Sequence, residues 1–267
     1  PDRQQTLRGA LDWSYDLLDA QEQVLFARLG TFQGGRTVEA VETVCGPDLN
    51  LDVLDGLEAL LNKSLIQQQE GLDGEPRFMM LETIHEYARE RLDQSGEAEA
   101  MRQRHAAYFV ALAERAEPEL RGAGQEYWLA RLRAEHNNLR TALAWALGGG
   151  DVELGLRLVG ALHDFWYFEG LFVEGWRWIE QALAGAGAAP TAVRAKVLKA
   201  AGHLAVFLGF HERGRVLESE ALALYHELGD TSNAAWARVM LGAQSVGVPA
   251  EYREGIAQCE EGLAQFR

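Results

Sequence analysis

Seven aromatic residues fall within fourteen positions of this chain: Phe165, Trp166, Tyr167 and Phe168, then Phe172, Trp176 and Trp178. One stripe of an α-helix cannot bury so many rings, so some are expected at the surface. There, with His163 and Arg177 beside them, they would anchor a peptide or a small ligand. The competing use is packing, in which the same rings wedge an irregular helix pair against the helices before it, the commoner role of aromatic side chains. His163, Trp166, Tyr167, Phe168, Trp176, Arg177 and Trp178 are therefore the candidate ligand- or partner-binding residues.

Catalytic chemistry is harder to find. No Gly-x-x-x-x-Gly-Lys-Ser/Thr phrase supplies the backbone cradle and lysine that nucleotide phosphates need, so no ATP hydrolysis is expected from this chain. His-Glu-x-x-His and Gly-x-Ser-x-Gly are also missing. Glu114, Glu117 and Glu119 stand at helical positions suited to solvent, where carboxylates serve solubility. The two cysteines, Cys45 and Cys259, are far apart and lack a ligand partner at short spacing, which points to neither a disulfide framework nor a zinc site. The expectation is a protein without catalytic residues, metal or cofactor of its own.

Charge narrows the partners. The net charge is -15, and residues 1–95 hold 8 Lys+Arg against 18 Asp+Glu, a balance of -10. Duplex DNA is held largely through phosphate neutralisation, which an acidic surface opposes. No apolar run is long enough to span a membrane, and Asp2, Arg3, Arg8, Asp12 and Asp16 occupy the place of a signal peptide's apolar core, so a cytoplasmic protein is expected. The start at Pro1 and the stop at Phe266-Arg267 inside an amphipathic pattern suggest an excised fragment.

The elements that position these residues are mostly helices. Leu7, Leu11, Tyr15 and Leu18 form one stripe of a helix over about Thr6–Leu18. Asp19 and Glu22 are spaced as a capping box for a second helix, and Thr37 can cap a third that runs through Val44 after the break at Gly34-Gly35. Leu51, Leu54, Leu57, Leu60 and Leu61 form the stripe of a fourth, which carries Asp52, Asp55 and Glu58 before its first cation, Lys63. Then the period changes: Leu65–Gln69 and Arg77–Met80 flank a turn-rich Gly71–Gly74, which predicts a β-hairpin lying on the preceding helices. This order of helices and wing predicts a winged helix over residues 1–95.

Connecting helices are expected over residues 96–150, with Met101, His105, Tyr108, Phe109 and Leu112 on one stripe and Trp128, Leu132, Leu139, Leu143 and Leu147 on the next, up to Gly148-Gly149-Gly150. Over residues 151–267 a repeat emerges. Gly175, Gly214 and Gly255 are 39 and 41 residues apart, and the same offsets relate Gln181-Ala182-Leu183, Glu220-Ala221-Leu222 and Glu261-Gly262-Leu263. A period near 40 residues with paired helices predicts an α-solenoid, in which a small residue lets two helices approach closely. The segment Gly185–Pro190 is read as a short connection between units. The predicted fold is mainly α: a winged helix with one β-hairpin, then helical repeats.

Two phrases carry a family resemblance: Leu7–Leu18 at the start, and Arg77-Phe78-Met79-Met80-Leu81-Glu82-Thr83-Ile84-His85-Glu86-Tyr87-Ala88 at the end of the hairpin. They resemble the winged helix behind the nucleotide-binding core of STAND-type, NB-ARC-like regulatory ATPases, as in large LuxR-type bacterial activators. Glu135-His136-Asn137-Asn138-Leu139 also recurs in that family, and Leu222–Asp230 resembles its tetratricopeptide repeats. The resemblance implies a non-catalytic sensor region that couples inducer binding to an N-terminal NTPase core, ATP and ADP belonging to that core. The family's Met-His-Asp phrase, whose histidine meets ADP phosphate, matches Met80, Leu81 and Glu82 here, with leucine in place of the histidine. Those three are the nucleotide-sensing position by resemblance, and the substitution removes the hydrogen-bond donor. The alternative is a stand-alone repeat adaptor for a protein tail; a third class, a DNA-reading winged helix, runs against the charge count.

Overall fold

The structure, a computed structural model, describes residues 2–187, 191–245 and 252–265. Residues 188–190 of the expected connection, Phe266-Arg267 and the side chain of Leu7 lie outside the described residues. The chain forms two compact units, residues 1–112 with 126–145 and residues 113–125 with 146–267.

The first unit opens with α1 (Asp2–Asp16), α2 (Ala20–Leu29), strand β1 (Arg36–Thr37), α3 (Val38–Cys45) and α4 (Val53–Asn62). Strands β2 (Gln67–Glu70) and β3 (Pro76–Met79) then precede α5 (Glu82–Ser95). The predicted capping box is formed: Asp19 Oδ1 accepts from Glu22 N at 2.9 Å while Glu22 Oε2 accepts from Asp19 N at 2.9 Å. Thr37 caps α3 and Asp52 caps α4. Fully buried Leu25, Phe26, Leu29 and Phe32 form the centre, each worth roughly 1.5–3 kcal/mol in removed apolar surface.

The wing differs from the sequence expectation in one respect. It is a three-stranded antiparallel sheet in the order β1-β3-β2, with Arg36 opposite Phe78 and Gln68 on the other side of it. The added strand exists because Gly34, at φ 91°, turns the chain back along β3 before Thr37 starts α3. The order α2-β1-α3-α4-β2-β3 is that of a winged helix-turn-helix, with α4 in the position of the recognition helix.

The first unit continues through α6 (Ala98–Ala116) as far as Leu112, then α7 (Gln125–Ala134) and α8 (His136–Leu147) as far as Trp145. The predicted stripe of Met101, His105, Tyr108, Phe109 and Leu112 is buried throughout. The second stripe, expected as one run, is two helices that meet at Glu135. Glu135 and Asn138 there turn inward to the wing rather than outward to water. Glu135 binds Arg77 of β3; Asn138 Nδ2 donates to Gly35 O at 3.0 Å and to Glu135 Oε2 at 2.8 Å, and its Oδ1 accepts from Gln33 N at 2.8 Å. The phrase around His136 therefore does its structural work through the glutamate and the second asparagine.

The second unit holds the helical repeats. A 3-10 turn (Glu117–Arg121) leads to α9 (Val152–Ala161), α10 (His163–Phe168), α11 (Phe172–Gly185), α12 (Thr191–Leu208), α13 (His211–Leu228), α14 (Thr231–Ser245) and α15 (Tyr252–Gln265). Gly175, Gly214 and Gly255 occupy the fourth position of α11, α13 and α15, which is why their spacing repeats. A Cβ at 175 would lie 2.9 Å from the Trp166 ring and one at 214 would lie 2.9 Å from Ala205 Cβ, while the Gly255 carbonyl would be 2.5 Å from a Cβ at Gly242. Small residues at this register bring neighbouring helices together as the repeat predicted.

Candidate functional site

Five elements of the repeat unit meet around a polar groove of about 290 Å³: the 3-10 turn supplies Glu117 and Arg121, α9 supplies Gly160, α10 supplies His163 and Asp164, α12 supplies Lys196 and Lys199, and α14 supplies Asn233 and Trp236. Arg121 grips Asp164 with two parallel bonds, Nε to Oδ2 at 2.6 Å and Nη2 to Oδ1 at 2.7 Å. Its guanidinium also lies 5.1 Å from the Trp236 ring centroid. His163 Nδ1 is 3.1 Å from Asp164 Oδ1, and His163 Nε2 is 2.8 Å from His203 Nδ1.

The tautomers follow from this geometry. His163 donates from Nδ1 to the carboxylate, so its Nε2 accepts from His203 Nδ1. Burial lowers the affinity of both rings for a second proton, pushing His203 down to about 3 with help from the positive groups around it. Burial alone would raise the Asp164 carboxyl, but Arg121 and His163 outweigh it and hold it well below the usual carboxylate range. An Asp-His pair resembles part of a nucleophile-activating relay. Here the His203 ring packs against Tyr167 at 4.9 Å, Phe207 at 5.5 Å and Trp236 at 6.2 Å, so the relay ends among aromatic rings. The arrangement orders the groove floor.

The groove's walls carry three cations, Arg121, Lys196 and Lys199, against two carboxylates, Glu117 and Asp164, with the histidines neutral. Lys196 binds Glu117 and Arg121 binds Asp164. Lys199 donates instead to the neutral Asn233 amide, Nζ to Oδ1 at 2.8 Å, and burial lowers its pKa. In a chain of net charge -15 this is a locally positive recess suited to an anionic or strongly polar group.

The structure distributes the sequence candidates over several places. His163 lines the groove. Trp166 is 1% exposed and packs beneath Gly175. Tyr167 is half-buried, in ring contact with Phe168, Phe172 and Phe207, and Phe168 is 38% exposed. Trp176 and Trp178 are buried; Trp176 lines a separate cleft, and exposed Arg177 lies over the Trp178 ring at 5.0 Å. In the first unit, Met80, Leu81 and Glu82 form the junction of β3 and α5. Leu81 is 53% exposed there, and its carbonyl accepts from Ile84 N at 2.9 Å.

Sequence reasoning missed Arg121, Asp164, Lys199 and His203. One signal was available: His203 follows His163 by 40 residues, close to the repeat period. Among the described residues no group of three or more His, Cys, Asp or Glu side chains is placed to hold a metal ion, and no helix is long and apolar enough to cross a membrane.

The family comparison agrees with the winged helix of this architecture. Residues 18–93 match the family described as a winged helix-turn-helix domain. Those residues begin one position before the α2 cap and end inside α5. The chain is 36% identical over 253 residues to proteins of Mycobacterium bovis and Mycobacterium tuberculosis named as HTH-type transcriptional regulators; the match covers 91% of this chain and 28% of theirs. It is also 30% identical over 105 residues to an uncharacterized protein of Mycobacterium tuberculosis, covering 38% of this chain and 26% of that one. A crystal structure of a STAND signal-transduction ATPase with a tetratricopeptide repeat sensor from Pyrococcus horikoshii aligns with a TM-score of 0.40 and 13% identity, over 94% of this chain and 45% of that one. The chain is a winged helix-turn-helix domain followed by helical repeats, similar to transcriptional regulators. It spans 28% of the length of the curated relatives it matches over most of its own residues.

Proposed function

We propose that this chain is the non-catalytic sensor region of a STAND-type transcriptional regulator of the large LuxR-type, NB-ARC-like kind. It would work in the cytoplasm, coupling an inducer or a protein partner on its repeats to an N-terminal NTPase core through the winged helix. The observation that carries this reading is the 36% identity to HTH-type transcriptional regulators, which extends over 91% of the chain and so takes in winged helix and repeats together. The positive groove would receive a polar or anionic part of the inducer. An inducer can shift such a switch only by binding its open and closed states with different affinity. ATP and ADP would belong to the core, and the leucine at position 81 would leave phosphate sensing to other residues.

This reading is tested by sequencing the coding DNA upstream of Pro1. A phosphate-binding loop is expected within roughly two or three hundred residues, the length of one NTPase domain. A start codon directly before Pro1 overturns the switch and leaves a stand-alone repeat adaptor.

In the same reading the winged helix docks onto protein and does not read DNA. The outward face of α4 presents Asp52, Leu54, Asp55 and Glu58, while Lys63, the first cation after them, is tied to Glu22 at 3.2 Å. A groove-reading helix needs the opposite sign toward phosphate. Mixed duplex DNA at low salt should run unshifted with this chain in an electrophoretic assay, and a salt-sensitive shift would refute this part of the proposal.

A further inference from the structure

Two of the three cations in the polar groove already have a counter-charge. Arg121 turns the Nε and Nη2 edge of its guanidinium to Asp164, and Lys196 is bound to Glu117. Lys199 differs from both. Its Nζ donates to the neutral Asn233 Oδ1 at 2.8 Å, and no carboxylate lies within ion-pair reach of it among the described residues. The amide is oriented from its other end, where Nδ2 donates to Asp230 Oδ2 at 2.7 Å, so Oδ1 is the atom turned to the lysine. An ammonium has three donors, and Asn233 takes one of them.

No other acid near Lys199 supplies the missing charge. Glu218 is held in its protonated form by burial. The Asp230 carboxylate is bonded to Asn233 N and Nδ2 and does not line the groove. A half-buried cation without a counter-charge has lost solvation that nothing replaces, which is also why burial lowers the Lys199 pKa. One negative charge from an occupant would replace it. Three cations against two carboxylates leave a balance of one, which a monoanion cancels and a dianion reverses. Pro118, Gly160 and the Trp236 ring give the same groove an apolar portion. Its volume of about 290 Å³ is at the small end of ligand sites, which are usually roughly 300–1,000 Å³.

We infer that the groove binds a small organic monocarboxylate, with the carboxylate on Lys199 and the carbon body against Pro118 and Trp236. This rests on the groove being the inducer's site, as proposed above, and narrows the inducer to a singly charged carboxylic acid in place of a phosphorylated compound.

Calorimetric titration of the chain at pH 7.5 with benzoate, benzamide and phenyl phosphate tests the assignment, since the three offer one ring with one, no and about two negative charges. Saturable binding of benzoate at one site is expected, about tenfold tighter than either of the others, because only benzoate both pairs with Lys199 and leaves the groove neutral. Lys199→Met should reduce benzoate to the affinity of benzamide. Glu117→Gln, at a side chain 32% exposed, raises the balance from one positive charge to two and should make phenyl phosphate the tighter ligand. Arg194→Met removes a cation of the same helix that pairs with Glu220 outside the groove, and should leave benzoate binding unchanged. Thermal unfolding shows which variants keep the fold, and Glu117→Gln carries the test if Lys199→Met does not. Phenyl phosphate bound more tightly than benzoate by the unaltered chain would overturn the carboxylate assignment and leave an anion-binding groove. Equal affinity for benzoate and benzamide, or benzoate binding indifferent to both groove variants, would also overturn it. No saturable binding of any of the three would overturn the inference and the groove's role as an anion site together.

Discussion

Replacing Glu135 by alanine is expected to cost about 3–5 kcal/mol of stability in the first unit, the range for removing one partner of a buried ion pair. The Glu135 side chain is 2% exposed and that of its partner Arg77 13% exposed. Arg77 also donates from Nη2 to Gly35 O at 2.8 Å and to Ala134 O at 3.0 Å, so it is fixed in place and cannot swing to water when its carboxylate is removed. Asn138 Nδ2 would lose one of its two acceptors at the same time. Urea unfolding followed by circular dichroism checks the effect, with Glu135→Gln as the control that keeps an acceptor and loses the charge. A loss below about 1 kcal/mol would mean that the pair contributes no more than a surface ion pair.

Glu218 gives the second large effect, and its sign depends on pH. The residue is fully buried, and neither carboxyl oxygen has a hydrogen-bond partner. It sits against Gly202, where a Cβ would fall 2.0 Å from Oε2, so α12 and α13 leave no room for water around it. Burial raises its pKa well above the ordinary 4.5, against the opposing pull of Lys199. The folded chain therefore keeps this proton at pH values where the unfolded chain has released it. The contribution is fully present below about pH 4.5 and falls by about 1.4 kcal/mol per pH unit above it, until the folded carboxyl also ionises. Glu218→Gln, which cannot ionise, should raise the melting temperature at pH 8 and leave it nearly unchanged at pH 4. Equal shifts at both pH values would show that Glu218 is already ionised in the folded chain.

Much of the first unit was legible because its signals are local. The Asp19 and Glu22 spacing, the Thr37 cap, the leucine stripe of α4 and the change to strand periodicity each depend on residues within one or two turns of one another. Strand β1 was not legible. Two residues, Arg36 and Thr37, become a strand only because β3, forty residues later, offers an open edge. The break between α7 and α8 was hidden for a similar reason, since nothing local to Glu135 announces that its partner is Arg77.

In the second unit, the repeat period could be read from three glycines because each occupies the same turn of its helix. The aromatic run could not be resolved in that way. Trp166, Phe168 and Trp176 lie within eleven positions, yet one is buried in the core, one is partly exposed and one lines a cleft. The sequence by itself determined the mainly helical fold, the wing, the repeat period, the acidic balance and the lack of a phosphate-binding loop. All of these follow from composition, spacing and short-range hydrogen bonding. The tertiary structure decided which polar groups became partners: Arg121 with Asp164, His163 with His203, and Arg77 with Glu135. A pairing across 40 or more residues depends on where two helices come to rest, and that is set by packing the whole unit rather than by any segment of it.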